Sequence, residues 1–215
     1  MQITLNNVVP IPLKEKLLQR PSDIWVTTQI FKANEWVKIK APSGTGKTTL
    51  THILYKLRFD FEGTILWDDI NTATINEDAL AVIRQQKLSI IFQDLRLFNN
   101  LSARENIEIN RVLQMPYYTS EIIDTMAATL GITHILNQRA GLCSYGEQQR
   151  IAIIRALVQP FEFLLMDEPF SHLDIANTAI AAQLIAEECA KRNAAFLLTD
   201  LDDDDNFNYH RKLSL

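Results

Sequence analysis

An α/β fold built on a mostly parallel sheet is the architecture that three observations predict. Strand-like and helix-like stretches alternate along the 215-residue chain, the pattern left by helical crossovers between parallel strands. The compact runs Leu88–Phe92, Phe161–Met166 and Ala194–Leu198 are dominated by apolar side chains without strict alternation, as suits strands covered on both faces. A further strand-like stretch runs directly into a glycine-rich turn and then a helix-like segment.

The elements follow in order. Pro10, Pro12 and Pro21 break the N-terminal segment into short pieces, for which only edge strands are expected. Glu35–Ala41 places Val37, Ile39 and Ala41 on one face at strand period and ends at Pro42-Ser43-Gly44. Thr48–Leu57 reads as a helix, followed by a turn at Gly63 and a short strand, Thr64–Trp67. Between Gln93 and Gln159 the texture becomes helical: Ile122, Ile123, Met126, Ala127 and Leu130 share one face, with Gly131 as the stop. The expected organisation is one domain, 1–215, with an α/β core over 1–93 and 159–215 and a helical insert over 94–158.

Composition narrows the function. With 47% hydrophobic and 22% charged residues, the chain reads as an ordinary globular domain. A net charge of −5 speaks against a nucleic-acid partner, which asks for a basic face. No run reaches the roughly 18 uncharged apolar residues of a membrane span, and Met1–Leu13 lacks a basic-then-apolar leader pattern. Cys143 and Cys189 form neither a disulfide framework nor a metal spacing, which places the chain in a reducing cytosol. Work at a membrane then requires a partner that holds the chain there.

The stretch Ala41-Pro42-Ser43-Gly44-Thr45-Gly46-Lys47-Thr48-Thr49 lies between a predicted strand and a predicted helix, the context a phosphate-binding P-loop requires. A triphosphate needs many backbone N–H donors aimed inward, and Gly44 and Gly46 let the chain curl closely enough to supply them. The following helix N-terminus adds about half a positive charge. Lys47 is a point charge for the β and γ phosphates, and the Thr48 hydroxyl can ligate Mg²⁺. Ala41 stands where the motif has its first glycine: a left-handed backbone there costs on the order of 1 kcal/mol, and a strand end costs little.

Phe161–Asp167 is an apolar run ending in a carboxylate and followed by Glu168-Pro169. A carboxylate at that strand end can hold Mg²⁺ through water, and its neighbour can polarise an attacking water. Asp167 is thus the candidate magnesium residue and Glu168 the candidate general base. Gln93, at the end of the Leu88–Phe92 run, offers an amide to Mg²⁺ or to its water.

These residues carry a family resemblance. Ser144-Tyr145-Gly146-Glu147-Gln148-Gln149-Arg150 resembles the signature Leu-Ser-Gly-Gly-Gln/Glu of ATP-binding-cassette (ABC) proteins, Ser171-His172-Leu173-Asp174 resembles their D-loop, and Gln93 their Q-loop. Leu97–Ile107 is similar to the segment that faces the transporter's membrane domain, most of all in the lipoprotein-release and cell-division branch. The resemblance implies a P-loop ATPase using Mg-ATP, bound by Ser43, Gly44, Thr45, Gly46, Lys47, Thr48 and Thr49, with Thr48, Gln93 and Asp167 on the metal and Glu168, Lys47 and Gln93 in catalysis. It implies a head-to-tail dimer, homo- or heterodimeric, in which Ser144, Gly146 and Glu147 of one copy meet the nucleotide of the other. It also implies a separate membrane-spanning subunit that holds the chain at the cytoplasmic face. Soluble ABC proteins of DNA repair or the ribosome carry a long coiled-coil insert or tandem cassettes, and this sequence has neither.

The sequence departs from that pattern at several positions. Cys143 replaces the first leucine of the signature and Tyr145 its first glycine; Asp200 stands where the family has its switch histidine. A carboxylate about 4 Å from a phosphate oxygen is repelled by about 4 kcal/mol at an effective dielectric of 20, against about 1.5–3 kcal/mol gained from a charged hydrogen bond. Asp200 must therefore point away, be protonated, or slow the reaction. Lys14–Leu18 holds no adenine-stacking aromatic, which leaves two alternatives, a modest nucleotide affinity or Leu17 as an apolar substitute. The acidic run Asp202–Asp205 reads as a solvated loop. A second reading, favoured by Tyr145 and Asp200, is a nucleotide-dependent clamp with little turnover.

Overall fold

The computed structural model describes residues 1–113 and 116–215. In chain order, β1 (Ile3–Pro10), a short α1 (Lys14–Leu17), β2 (Thr28–Phe31) and β3 (Trp36–Lys40) precede α2 (Lys47–Leu54). Next come β4 (Phe61–Trp67), β5 (Ile70–Asn71), α3 (Glu77–Gln86) and β6 (Leu88–Ile91). Three helices follow, α4 (Ala103–Val112), α5 (Glu121–Thr129) and α6 (Tyr145–Val158), and then β7 (Phe163–Asp167), α7 (Ile175–Arg192), β8 (Ala195–Asp200) and β9 (Arg211–Ser214).

The strands form two sheets. One is antiparallel, in the order β2-β1-β4-β5; the other is parallel throughout, in the order β6-β7-β8-β3-β9. The mostly parallel α/β class is as the sequence predicts. The N-terminal strands divide: β2 lies at an edge, whereas β1 runs eight residues inside its sheet, between β2 and β4. Pro10 is tolerated because it sits at the last position of β1, where a missing ladder donor matters least. Helix α2 stops at Leu54, short of the expected Leu57, because Lys56 takes a left-handed φ of 57°.

Strand period explains how the parallel sheet is covered. Phe163 and Leu165 of β7 and Ala195 and Leu197 of β8 pack with Val37, Ile39, Leu50 and Leu54 toward α2 and the antiparallel sheet. Leu164, Met166, Phe196 and Leu198, on the opposite face, pack with Ile153, Leu157, Ile185 and Phe170 toward α6 and α7. With both faces buried, the apolar runs need not alternate. Helix α6 is buried at every position from Ile151 to Val158, apolar as an interior helix is except at Arg155, the one charged residue of that stretch.

This topology decides where chemistry can occur. Strands β7, β8 and β3 are neighbours, so their C-terminal ends bring Asp167-Glu168, Asp200 and Ala41 side by side, and the end of β6 adds Gln93 beside β7. Backbone bonds stitch these ends together, Ala41 N–H to Asp200 O at 2.9 Å and Glu168 N–H to Thr199 O at 2.9 Å. In open parallel sheets the crevice at the carboxyl ends of the strands is where ligands bind.

Candidate nucleotide site

The loop after β3 has the geometry that a phosphate cradle needs. Gly44 and Gly46 have φ of 76° and 101°, values a side chain resists, and Gly46 caps α2 so that its free N–H groups open toward the loop. Ala41 is fully buried, accepts no left-handed strain and closes β3, so the missing first glycine costs nothing here. A cleft of ≈230 Å³ lies against the loop, lined by Leu13, Gly44, Gly46, Lys47, Thr48 and Thr49.

Two residues outside the sequence reading brace this loop. Trp25 Nε1 donates to Thr45 O at 3.2 Å and Lys16 Nζ to Gly44 O at 3.1 Å, so these two carbonyls are engaged from outside; within the loop the Thr45 N–H donates to Pro42 O at 3.3 Å. No local pattern marks Trp25, because its partner lies 20 residues on. Leu17, expected as the apolar substitute for an adenine-stacking ring, is only 4% exposed and belongs to the core. Leu13 lines the cleft instead. The short α1 turns Leu17 inward.

The polar candidates converge through short contacts. Lys47 Nζ donates to Ala41 O at 2.9 Å and lies 3.2 Å from Glu168 Oε1. The Gln93 amide bridges two of them: its Oε1 accepts from Thr48 Oγ1 at 3.1 Å and its Nε2 donates to Glu168 Oε2 at 3.1 Å. Asp167 accepts from Thr199 Oγ1 at 2.8 Å through Oδ1, while its Oδ2 is buried with no hydrogen-bond partner among the described residues. A buried carboxylate oxygen without a partner is costly, and a cation or its water is what satisfies one. Glu168 has a φ of 47°, a left-handed conformation that costs a non-glycine residue on the order of 1–2 kcal/mol and gathers at functional sites. Among the described residues no three His, Cys, Asp or Glu side chains could hold a metal by themselves. The donor set therefore fits Mg²⁺ held by one or two side chains together with phosphate oxygens and water.

The segment after Gln93 is held by helix α6. Leu95 and Arg96 both have left-handed φ, 58° and 48°. Arg155 reaches from α6 to their carbonyls, with Nη1 at 2.6 Å from Arg96 O and Nη2 on Leu95 O. Burial drops the Arg155 guanidinium to about 10, and no carboxylate lies within ion-pair distance of it among the described residues. Replacing Arg155 by Met strands both carbonyls, so unfolding stability should fall by about 2–4 kcal/mol. Urea unfolding checks this, and an unchanged midpoint excludes the clamp.

Ser144 caps α6, with its hydroxyl and N–H both bonded to Glu147 Oε2 at 2.8 Å and the Glu147 N–H returning to Ser144 Oγ, the expected capping box. The Ser144 N–H and hydroxyl hold the Glu147 carboxyl below its usual range. Among the described residues no hydrogen bond joins this segment to the phosphate loop of its own chain. Tyr145 is 69% exposed and stacks on His172, ring centroids 5.2 Å apart. A Cβ on Gly146 would meet His172 O at 3.0 Å, so a side chain is tight at this position, whereas the Tyr145 ring is largely exposed.

Known proteins resemble this chain in sequence and fold. The model of the ABC transporter family matches residues 27–171. The ABC transporter ATP-binding protein YvcR of Bacillus subtilis, itself uncharacterised, is 34% identical over 78% of this chain and 66% of its own length. The lipoprotein-releasing system ATP-binding protein LolD of Buchnera aphidicola is 34% identical over 167 residues, 76% of this chain and 72% of LolD. The chain thus spans just under two thirds of YvcR. The dimeric bacterial ABC transporter cassette MJ0796 superposes with a TM-score of 0.78 at 27% identity, over 93% of this chain and 88% of the cassette. A post-hydrolysis dimer of MJ0796 bound to ADP and phosphate gives a TM-score of 0.77. By family match, identity and fold, this chain belongs to the ABC transporter family.

Proposed function

We propose that the chain is the ATP-hydrolysing subunit of an ABC transporter, acting as a head-to-tail dimer on a separate membrane-spanning subunit at the cytoplasmic face. The observation that carries this reading is the contact set Thr48–Gln93–Glu168–Lys47 at the carboxyl ends of β3, β6 and β7. In it, Lys47 and the N–H groups from Ser43 to Thr49 bind the β and γ phosphates. Glu168 accepts the proton of the water that attacks the γ phosphorus, and Gln93 holds that carboxylate in line through its 3.1 Å bond. The Thr48 hydroxyl, the Gln93 amide and Asp167, through water, are the residues that hold Mg²⁺. The cation's contribution when bound is to neutralise the β and γ oxygens as charge develops.

Dimerisation and the membrane partner rest on two further features. Among the described residues the face bearing Ser144, Gly146 and Glu147 makes no hydrogen bond to its own phosphate loop, which leaves it to meet another copy's nucleotide, as the MJ0796 cassette dimer suggests. Phe98, 57% exposed within the Leu97–Ile107 segment, offers an apolar contact to a membrane subunit. No helix among the described residues is long and apolar enough to cross a membrane.

The stacked Tyr145–His172 pair favours a second reading, a nucleotide-dependent clamp with little turnover, because two rings occupy the surface presented to the partner's nucleotide. Phosphate release by the purified chain separates the two. Turnover abolished by EDTA supports the ATPase; ATP-dependent dimers without phosphate release support the clamp.

A further inference from the structure

Lys38 is a lysine with no exposure at all, in the middle of β3. The sequence Val37-Lys38-Ile39-Lys40 suggests a half-exposed strand, but the sheet is covered on both faces. Lys38 shares its face with Lys40 and, across the β3–β9 register, with Lys212. Three like charges on adjacent positions destabilise a sheet unless they are matched. The acidic run, expected to be solvated, supplies the match. Lys40 bonds Asp203 and Lys212 bonds Asp205. Lys38 is left between two carboxylates, bonded to Asp204 Oδ2 and 3.8 Å from Asp200 Oδ2. The Tyr209 hydroxyl donates to the other Asp204 oxygen at 2.6 Å, and the ammonium lies over the Tyr209 ring.

Asp200 is the residue of this cluster that borders the nucleotide site. Its carbonyl accepts from Ala41 at the start of the phosphate loop. Burial pushes its carboxyl above the usual range, the Leu201 N–H and Lys38 pull it down, and the charges of Asp204 and Glu168 push it up again. Its carboxylate thus sits within electrostatic reach of Glu168 on one side and of Lys38 on the other. Phe196, Leu198 and Asp200 alternate onto the face of the sheet that packs against α7, opposite α2.

We infer that Lys38 is the positioning residue for Asp200: anchored by Asp204 and Tyr209, the buried ammonium holds the Asp200 carboxylate on the α7 face and offsets its charge, so that no bare acid faces the terminal phosphate. The inference rests on the nucleotide-site assignment proposed above. A lysine serving Asp204 alone would stabilise the fold without affecting which nucleotide binds. One that restrains Asp200 must affect ATP and spare ADP, because only ATP carries a phosphate at that end.

Mg-ATP and Mg-ADP titrations of four proteins test this: wild type, Lys38→Met, Asp200→Asn and the double variant. Lys38→Met should weaken ATP at least tenfold and ADP less than twofold. Adding Asp200→Asn should bring ATP affinity back to within threefold of wild type, and Asp200→Asn alone should change it less than threefold. Should Lys38→Met not fold, the Lys38→Met/Asp204→Asn pair removes the ammonium with the carboxylate it chiefly bonds and carries the same comparison with and without Asp200→Asn. Equal losses for ATP and ADP, or no recovery from Asp200→Asn, overturn the role of Lys38. Failure of the wild type to bind either nucleotide overturns the site assignment instead.

Discussion

Glu168→Gln is expected to bind ATP, lose phosphate release by about 10²–10⁴-fold and accumulate as an ATP-bound dimer. The amide keeps the shape and can still accept from Gln93 Nε2, now at 3.1 Å from Glu168 Oε2, so the bridge from Thr48 through Gln93 is preserved. What disappears is the proton acceptor. A carboxylate only 8% exposed also disappears from beside the incoming terminal phosphate, which lowers repulsion and strengthens ATP binding. Binding without turnover leaves the ATP-dependent association with no exit. Gel filtration with Mg-ATP and a coupled phosphate assay make the measurement. A variant that elutes only as monomer and hydrolyses at the wild-type rate removes Glu168 from the role of base.

Local signals made much of this molecule legible. The parallel sheet followed from Leu88–Phe92, Phe161–Met166 and Ala194–Leu198 because burial on both faces writes itself as unbroken apolar runs; strands over Leu88–Ile91, Phe163–Asp167 and Ala195–Asp200 lie where those runs are. The α5 helix and its stop at Gly131, φ 68°, were readable from one apolar stripe. Elements without such a stripe escaped. Strand β9, Arg211-Lys-Leu-Ser214, is polar at three of its four positions and takes its place by pairing with β3. Helix α3 does carry an apolar face, Leu80 and Ile83 behind an Asn76 cap whose side chain accepts from Ala79 N–H, but that stripe is only one turn long.

The site divides the same way. Gly44 to Thr49, Gln93, Asp167 and Glu168 could be named because each sits at the end of a predicted strand or the start of a predicted helix, and the structure brings Thr48, Gln93, Glu168 and Lys47 into contact. Side chains that act across the fold could not. Trp25, Thr199 and Arg155 reach their partners over 20, 32 and 60 residues of chain. Asp200 was legible as a departure, but its charge partner was not, since Lys38 is 162 positions earlier and its alternation with Val37 and Ile39 pointed to solvent. Leu17 failed for a related reason: a few residues of α1 decide whether Leu13 or Leu17 faces the loop, and that rotation is set by the core beneath.

Lys47→Ala should abolish nucleotide binding at working concentrations while the fold persists. Lys47 is 7% exposed, with its ammonium placed between Ala41 O at 2.9 Å and Glu168 Oε1 at 3.2 Å, at the first position of α2 beneath the loop's N–H groups. Charge-assisted hydrogen bonds to two phosphates at about 1.5–3 kcal/mol each come to about 3–6 kcal/mol, or about 10²–10⁴-fold in affinity. A second effect has the same sign: without the ammonium, the Glu168 carboxylate stands unmatched against a polyanion. Alanine is a good helix former and its site is a helix start, so circular dichroism should keep its helical amplitude, which separates lost binding from lost folding. Calorimetric titration with Mg-ATP and Mg-ADP decides the matter. Both nucleotides should lose affinity, because Lys47 serves the β phosphate as well as the γ. A loss confined to ATP would leave Lys47 on the γ phosphate alone, and equal affinity for wild type and variant would move the nucleotide away from this loop.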